Sequence, residues 1–488
     1  MPLRPSEVFA APRELDPTYG DGGKVITDFT TRAGSESYAL AVQSDGKLVL
    51  AGYADDTYED LSFGLIRLNA DGSPDMTFGI DGRVGTSFGP GEDRVEAVAI
   101  QSDGKIVAAG YTFADAGSGS QNFALARYNV DGALDPTFGT GGMVTTDFGT
   151  SRDKGYAIAI GSNGKIVVAG LTTVDNDDFA LARYNPDGSL DGSFGTGGKV
   201  RTAFSFGSMD EAYGVAILPD GKIVAAGKSG FFFGLARYNL NGSLDGNFGT
   251  GGMVTTTFAE GDAEATALVI QADGKIVASG HTRSNSDYSV VLARYTTNGD
   301  LDTSFDSDGR VVTNFSNTTE VAYALAIQSG GKLVVAGRAG SSGSDFALAR
   351  YNPDGSPDGN FGGGGQVTTS LSDGFDTVHG LAVQGDVKIV AAGVAGSQHE
   401  IRSGVARYNS DGSLDSSFGT EGKVVISALR SGASETFAVA IQPDGKILAG
   451  GSNGYSYNDS FALARYNPDG SLDQSFGDSG KTSTFFEF

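Results

Sequence analysis

The sequence contains no cysteine. This absence excludes disulfide bonds, thiolate metal sites and cysteine nucleophiles, and it leaves the redox compartment undetermined. No stretch approaches the roughly 18 consecutive apolar residues that a membrane-spanning helix needs, so we expect no insertion into a membrane. Residues 1–20 also lack an apolar run, so we expect no secretory signal there.

Basic residues are scarce, with 34 Lys and Arg against 59 Asp and Glu and a net charge of −25. This balance disfavours nucleic acid and anionic membrane surfaces as partners, because both reward basic surfaces. It is compatible with cation binding and high solubility.

Catalytic motifs are also absent. The sequence has no nucleophile elbow, phosphate-binding loop or dinucleotide fingerprint, and its three histidines do not show metal-ligand spacing. We therefore predict a protein that is not an enzyme, with no catalytic residues and no required cofactor. Paired carboxylates for glycoside cleavage stay open as an alternative, since the chain has many acids.

Two phrases recur eight times along the chain. The first centres on Leu-Ala-Arg-Tyr, and its arginines are Arg67, Arg127, Arg183, Arg237, Arg294, Arg350, Arg407 and Arg465. The second, seen at residues 99–110, recurs in step with the first. Repetition at the spacing of these arginines is typical of a solenoid or a propeller. We predict a lead segment over residues 1–23 and one repeat domain over residues 24–488.

The third repeat reads as four short strands. Residues 156–161 and 165–170 flank a tight turn, and residues 179–185 and 199–204 complete the unit. Residues 179–184 alternate large with small side chains, as sheets packed on both faces require. The predicted fold is all-β, a single eight-bladed β-propeller with four antiparallel strands per blade, and the first strand of each blade lines the channel.

The fourth-strand phrase occurs nine times, because it appears at both residues 24–29 and residues 481–486. We predict that the N- and C-terminal strands close the ring. A spare terminal strand offers an edge for self-association, which stays open as an alternative.

These phrases resemble the delta-60 repeat (DUF5122-type), a domain of unknown function found in tandem in bacterial proteins. The resemblance rests on Leu-Asp-x-Ser-Phe-Gly and Pro-Asp-Gly-Lys-Ile, and it covers about residues 14–482. It implies a β-propeller and favours a secreted or cell-surface location, but it implies no reaction. Asp306 and Val387 stand where the pattern has glycine.

The repeated polar residues are predicted to be scaffold. Each arginine is followed eight residues later by an aspartate, and we predict a buried ion pair between them. The segment 185–191 spaces oxygen donors, but it lacks the glycine position and the glutamate of an EF-hand loop, so we interpret it as a turn.

One acid precedes the first strand of every unit. These acids are Glu36, Asp93, Asp153, Glu211, Glu264, Glu320, Asp376 and Glu435. If they ring one mouth of the channel, a cation would relieve their repulsion, so they are candidate ligands for calcium. The other interpretation is a set of solvated acids that cap the strands.

The loops that vary between units fall on one face of a propeller, and that face is the predicted binding face. Six aromatic residues of blades eight, one and two are predicted to share one sector there. They are Tyr53, Tyr58, Tyr111, Phe113, Tyr455 and Tyr457. Aromatic rings beside carboxylates and amides suit a glycan or a protein partner.

The leading hypothesis is therefore a non-catalytic binding or structural module that engages a protein or glycan at a bacterial surface or outside the cell. A propeller enzyme that acts on a polysaccharide through acids at the channel mouth is the alternative from another class. Self-assembly through the spare terminal strand is the third.

Overall fold

A computed structural model describes the chain between residues 35 and 484, apart from residues 58–59, 70–73, 115–118, 206, 260, 285–286, 316–318, 341–342, 386, 398–399, 427–432, 455–459 and 478–480. By its contacts the chain divides into Met1–Thr31, which lies outside the described range, and Arg32–Phe488. The predicted boundary at residue 23 and the predicted strand over residues 24–29 therefore lie outside the described residues.

Thirty-two strands form eight sheets, and each sheet consists of four consecutive antiparallel strands. The first strands of the sheets are β1 (Ser35–Val42), β5 (Asp93–Ile100), β9 (Asp153–Ile160), β13 (Asp210–Ile217), β17 (Asp262–Ile270), β21 (Glu320–Ile327), β25 (Thr377–Val383) and β29 (Ala433–Ile441). The second strands are β2 (Leu48–Thr57), β6 (Ile106–Phe113), β10 (Ile166–Thr173), β14 (Ile223–Ser229), β18 (Ile276–Ser284), β22 (Leu333–Ala339), β26 (Ile389–Ser397) and β30 (Ile447–Gly454). The third strands are β3 (Asp60–Leu68), β7 (Gln121–Tyr128), β11 (Asp177–Tyr184), β15 (Phe232–Tyr238), β19 (Asp287–Tyr295), β23 (Asp345–Tyr351), β27 (Glu400–Tyr408) and β31 (Ser460–Tyr466). The fourth strands are β4 (Arg83–Thr86), β8 (Met143–Thr146), β12 (Lys199–Thr202), β16 (Met253–Thr256), β20 (Arg310–Thr313), β24 (Gln366–Thr369), β28 (Lys423–Ile426) and β32 (Lys481–Thr484).

The eight sheets are the blades of a closed ring. Each first strand contacts the first strand of both neighbouring blades, and β29 contacts β1, so the first strands surround the central channel. The predicted eight-bladed β-propeller is confirmed, with four antiparallel strands in every blade. The described residues contain no helix that is long and apolar enough to cross a bilayer.

Neighbouring blades pack large side chains of one sheet against small side chains of the next. Between the second and third blades, Phe123 and Leu125 lie in one buried cluster with Ala180 and Ala182. Tyr184 belongs to the same cluster, and its hydroxyl lies 2.8 Å from Thr146 Oγ1 of the preceding blade. The alternation in the sequence therefore predicted the packing between blades correctly, because each large face needs a facing surface of low volume.

The ring closes between the eighth and first blades through a buried cluster to which both blades contribute large side chains. Leu48 and Leu50 pack with Phe461 and Leu463, and Ser37 Oγ donates a hydrogen bond of 2.9 Å to Gly451 O. Strand β32, from the C-terminal side, pairs with β31 and completes the eighth blade. The role predicted for residues 24–29, in closure or in self-association, lies outside the described residues.

The hairpin that joins the first and second strands of the seventh blade has a strained backbone. Val387 has a φ of 65°, whereas the equivalent residues of the other hairpins are glycines with φ between 76° and 85°. A β-branched residue in this left-handed region is an outlier. The Val387 carbonyl also accepts a hydrogen bond of 3.0 Å from Gln328 Nε2 of the preceding blade, which fixes the turn.

Val387→Gly is therefore expected to raise the free energy of unfolding by about 1 kcal/mol, because the left-handed cost of about 1–2 kcal/mol is larger than the entropic cost of glycine. The midpoint of urea unfolding measures the change. Val387→Ala keeps a Cβ atom in the same conformation and is expected to give no comparable gain. An equal gain from alanine would contradict this explanation.

Candidate ligand-binding site in the channel

The repeated arginines form an identical scaffold in every blade. Arg183 Nε donates to Asp191 Oδ2 at 2.7 Å, and the Arg183 guanidinium lies 4.4 Å from the ring centre of Phe194. Both Arg183 and Asp191 are buried. The predicted ion pair is present in all eight blades: Arg67–Asp75, Arg127–Asp135, Arg183–Asp191, Arg237–Asp245, Arg294–Asp302, Arg350–Asp358, Arg407–Asp415 and Arg465–Asp473.

A second cation in this scaffold was missed at the sequence level. The lysine of each hairpin phrase contacts the same aspartate, and in the third blade Lys165 Nζ lies 2.5 Å from Asp191 Oδ2. These lysines are Lys47, Lys105, Lys165, Lys222, Lys275, Lys332, Lys388 and Lys446. Burial alone would raise the pKa of Asp191, but hydrogen bonds from Lys165 and Ser193 and the charge of Arg183 outweigh it and lower that pKa.

The turn that follows the third strand of the third blade is held by its own side chains. Asp187 Oδ1 accepts hydrogen bonds from the backbone N–H of Ser189 at 3.0 Å and from its hydroxyl at 2.6 Å. An aspartate bonded to the backbone two residues on is an Asx turn. The turn interpretation of residues 185–191 is therefore confirmed.

The eight acids predicted to form one ring occupy two different positions. Asp93, Asp153, Glu320 and Asp376 are buried, and each accepts a hydrogen bond from a backbone N–H of the preceding loop. In the fourth blade this position is taken by Asp210, which accepts from Phe204 N at 2.9 Å. These acids hold the loop between one blade and the next, and they are buried, not solvated as the strand-capping interpretation supposed.

The remaining four acids lie one position further along their strands. Glu36, Glu211, Glu264 and Glu435 pair in register with Tyr53, Lys228, His281 and Ser452. Glu211 Oε1 lies 3.6 Å from Lys228 Nζ, and the side chain of Glu36 is outside the described residues. The seven acids whose side chains are described therefore do not share one ring, because a strand position decides which side a side chain faces.

A metal site has no donor cluster in the described part of the chain. No three histidine, aspartate or glutamate side chains there form a group that could hold a metal ion. His281 Nε2 lies 3.5 Å from Glu264 Oε1. Burial, together with the charge of Arg338, lowers the pKa of His281 to about 4, so this contact is not an ion pair at neutral pH.

Every first strand contains one β-bulge, and sequence reasoning missed this feature. The bulge leaves one residue unpaired in each blade, at Tyr38, Glu96, Tyr156, Tyr213, Thr266, Tyr323, His379 and Phe437. We call these eight residues the bulge ring. All eight are half-buried. A bulge re-aims a side chain out of the alternating pattern, and such bulges are frequent next to functional sites.

Side chains of the bulge ring touch from blade to blade. The ring centres of Tyr156 and Tyr213 are 5.7 Å apart. On the other side, His379 lies 5.2 Å from Tyr323 and 5.5 Å from Phe437, between ring centres. Phe437 lies 5.7 Å from Tyr38 across the closure of the propeller. Because these residues belong to the strands that surround the channel, the bulge ring lines it.

The glycine of the recurring Ala-Ala-Gly phrase makes room for the bulge. Gly227 pairs with Ala212 beside the bulge, and a Cβ atom on Gly227 would lie 1.9 Å from Glu211 O. The same close approach occurs at Gly110, Gly170, Gly280, Gly337, Gly393 and Gly451. The signal for the bulges was therefore present in the sequence as a glycine inside a strand phrase.

Two cations stack on aromatic rings at the level of the bulge ring. The guanidinium of Arg94 lies 5.1 Å from the ring centre of Tyr53, and Lys154 Nζ lies 4.3 Å from that of Tyr111. Each cation belongs to the blade that follows its aromatic partner. Both distances fall within the range of cation–π contacts.

The six aromatic residues predicted to bind a ligand are only partly described. Tyr111 lies 6.2 Å from Phe113 between ring centres and is only 6 % exposed. Tyr53 is half-buried against Arg94 and Tyr38. Tyr58, Tyr455 and Tyr457 lie outside the described residues, so a shared sector of six aromatics stays a prediction.

Glu96 is the one carboxylate of the bulge ring. Burial raises its pKa to about 7, against the charges of Lys154 and Arg94. Burial and the charges of Arg152 and Arg94 lower the pKa of Lys154, although Glu96 and Glu211 act in the opposite direction. The channel between the second and third blades therefore holds a carboxyl group that titrates near neutrality beside incompletely neutralised cations.

Several solved structures are similar to this chain. A puromycin hydrolase is 13% identical over 76% of this chain and 52% of its own, with a TM-score of 0.41. An ulvan lyase of polysaccharide lyase family PL25 is 12% identical over 89% of this chain and 95% of its own, also at 0.41. Sqt1 of Chaetomium thermophilum, bound to the N-terminus of ribosomal protein L10, is 14% identical over 77% and 84%, at 0.39. At these TM-scores the likeness says nothing about what this chain binds, and the chain spans about half the length of the puromycin hydrolase.

No curated protein matches the sequence. A family model does match it, the domain of unknown function (DUF5122) beta-propeller, at residues 43–78, 101–138, 161–194, 218–248, 271–305, 328–361, 384–418 and 442–476. One match falls in each of the eight blades, from the hairpin of the first two strands to the turn after the third. Together the matches cover more than half of the chain. The protein is therefore a member of the DUF5122 β-propeller family.

Proposed function

We propose that this propeller is a non-catalytic binding module that takes a glycan in its channel, at the level of the bulge ring. One observation carries the proposal. The arginine scaffold, the hairpins and the strand glycines repeat from blade to blade, whereas the bulge ring carries tyrosine, glutamate, threonine, histidine and phenylalanine at equivalent positions. Positions that repeat serve the fold, so the variation at the channel is where specific recognition can arise.

The chemistry of the bulge ring suits a sugar. Tyr156 and Tyr213 present neighbouring half-buried rings, and Glu211 accepts a hydrogen bond of 3.0 Å from the Tyr213 hydroxyl. Aromatic rings with polar groups at their edges offer an apolar surface and fixed hydrogen-bonding partners together. Concave sites of this composition are typical of small-ligand binding. A protein segment is the second kind of partner that such a surface accepts, and a location at the bacterial surface or outside the cell is part of the proposal.

Tyr156→Ala is expected to weaken glycan binding at least tenfold, because it removes a ring that a sugar would contact. A glycan array identifies the bound sugars, and isothermal titration of the best oligosaccharide measures the change. Phe231→Ala is the matched control, because Phe231 is a 60 % exposed ring on the loop between β14 and β15. An absence of glycan binding, or an equal loss from Phe231→Ala, would contradict the proposal.

One observation favours the enzymatic alternative. A carboxyl group whose pKa is about 7 suits acid–base catalysis near neutral pH, and Glu96 has such a pKa. The same oligosaccharides, incubated with the protein and followed by chromatography, separate the two functions. If the protein cleaves an oligosaccharide and Glu96→Gln abolishes the cleavage, the protein is a polysaccharide-acting enzyme and not a binding module.

A further inference from the structure

A group of cations lies on and directly before the first strands of the second and third blades, in an otherwise acidic protein. The chain has a net charge of −25. Arg94 and Lys154 belong to the first strands β5 and β9, and Arg152 directly precedes β9. Lys154 Nζ lies 4.3 Å from the ring centre of Tyr111, which pairs in register with Arg94. The charges of Arg152 and Arg94 both act on Lys154 and lower its pKa.

The nearby acids neutralise this group incompletely. Arg94 Nη2 lies 3.1 Å from Glu92 Oε2, and Arg152 Nη1 lies 3.1 Å from Asp177 Oδ2. Lys154 forms no ion pair with any other described residue, and its described partner is the ring of Tyr111. Arg94 Nε is buried and has no hydrogen-bond partner within the described part of the structure.

We infer that Arg94, Arg152 and Lys154 form a subsite for the anionic group of an acidic polysaccharide, which the cations hold while the bulge ring contacts the sugar. This inference rests on the proposed function and names its ligand class. An anion at this place would relieve the repulsion between the cations. Tyr156 stands two residues beyond Lys154 on β9 and contacts Tyr213 of the next blade, so aromatic surface continues from the cations along the channel. The net negative charge of the protein disfavours non-specific binding of an anionic polymer.

Glu96 makes the subsite sensitive to pH. Arg94, Lys154, Tyr111 and Tyr156 interact electrostatically with Glu96. Around Arg94 and Lys154 lie Tyr38, Tyr53, Glu92, Arg152 and Glu211. Above a pH of about 7, ionised Glu96 competes with a bound anion for Arg94 and Lys154. Below that value Glu96 is protonated and uncharged, so Arg94 and Lys154 are available to bind the ligand. Anion binding should therefore take up a proton and strengthen as the pH falls from 8 to about 6.

Affinity electrophoresis of the full chain tests the subsite, with polygalacturonate as the carboxylate polymer, dextran sulfate as the sulfate polymer and dextran as the neutral polymer. We expect at least one acidic polymer to retard the protein. Comparison of the gel that contains polygalacturonate with the gel that contains dextran sulfate shows which anion is preferred. Lys154→Gln is expected to raise the apparent dissociation constant obtained from this retardation at least tenfold. Lys199→Gln removes the same charge from β12 on the outer edge of the same blade and is expected to have no effect. Glu96→Gln is expected to abolish the difference between pH 6 and pH 8.

Three outcomes overturn the inference. The first is no retardation by either acidic polymer. The second is an equal loss from Lys154→Gln and Lys199→Gln, which would mean non-specific attraction. The third is retardation by dextran that Tyr156→Ala abolishes and Lys154→Gln leaves unchanged, in which case glycan binding in the channel stands and the anionic subsite does not.

Discussion

Asp245→Asn is expected to lower the free energy of unfolding by about 3–5 kcal/mol, because it leaves the buried guanidinium of Arg237 without its charged partner. Asp245 is 2 % exposed and accepts from Arg237 Nε and Lys222 Nζ, each at 2.8 Å. Asparagine keeps the shape of the side chain, removes its charge and replaces one acceptor oxygen by an NH2 donor. Urea unfolding at neutral pH measures the loss.

The fourth blade offers a matched control for this change. Lys222 also lies 4.0 Å from Asp220, whose side chain is 57 % exposed. Asp220→Asn is expected to change stability by less than about 1 kcal/mol, because water screens exposed ion pairs. Comparable losses from both variants would mean that the buried contact is not what stabilises the blade.

The pH dependence of unfolding follows from the same group. Burial alone would raise the pKa of Asp245, but hydrogen bonds from Lys222 and Asn247 and the charge of Arg237 lower it below the ordinary value. A carboxyl group with a lowered pKa contributes stability above its unfolded pKa of about 4 and loses that contribution as the pH falls further. The wild-type protein should therefore lose stability below about pH 4 more steeply than Asp245→Asn does.

Gly227→Ala is the second change with a large expected effect. The new Cβ atom would lie 1.9 Å from Glu211 O and 3.0 Å from Ala212 Cα, so the bulge of the fourth blade has to move. Overpacking of this kind costs about 3 kcal/mol, and we expect a loss of that size in urea unfolding. The displaced bulge carries Tyr213, so glycan binding should fall as well.

Gly246→Ala in the same blade is the control that separates the effect of the steric clash from the effect of replacing a glycine. Nothing lies within 4 Å of a Cβ atom at Gly246, and its φ is not positive. Alanine there is expected to leave stability unchanged or raise it by up to about 1 kcal/mol. A loss from Gly246→Ala that matches the loss from Gly227→Ala would show that the bulge does not depend on the missing side chain.

The architecture was predictable because repetition and side-chain volume both survive in the sequence. The alternation of Phe179 and Leu181 with Ala180 and Ala182 marked a sheet covered on both faces, and the structure shows that packing. The pairing of Arg183 with Asp191 was predictable for a different reason. A buried charge needs a partner, and this aspartate recurs eight residues after the arginine in every unit.

The channel was less predictable because a bulge inserts one residue into the alternation. The grouping of Glu211 with Asp153 was wrong for another reason: the loop before β13 is one residue longer than the loop before β9, so Asp210 occupies the position of Asp153. One added residue moves a side chain to the other face of a strand. Strand propensity does not reveal the bulge, and the glycine opposite the bulge was interpreted only as part of a repeated phrase.

Every described blade is made from one uninterrupted stretch of chain, including the eighth, in which β31 pairs with β32. The unit of structure and the unit of sequence therefore coincide, and a gene segment that encodes one repeat encodes one whole wedge. Recombination between repeats can remove or duplicate such a cassette without leaving half a sheet exposed. The number of wedges, and with it the width of the pore, is then a quantity that gene rearrangement can alter in one step.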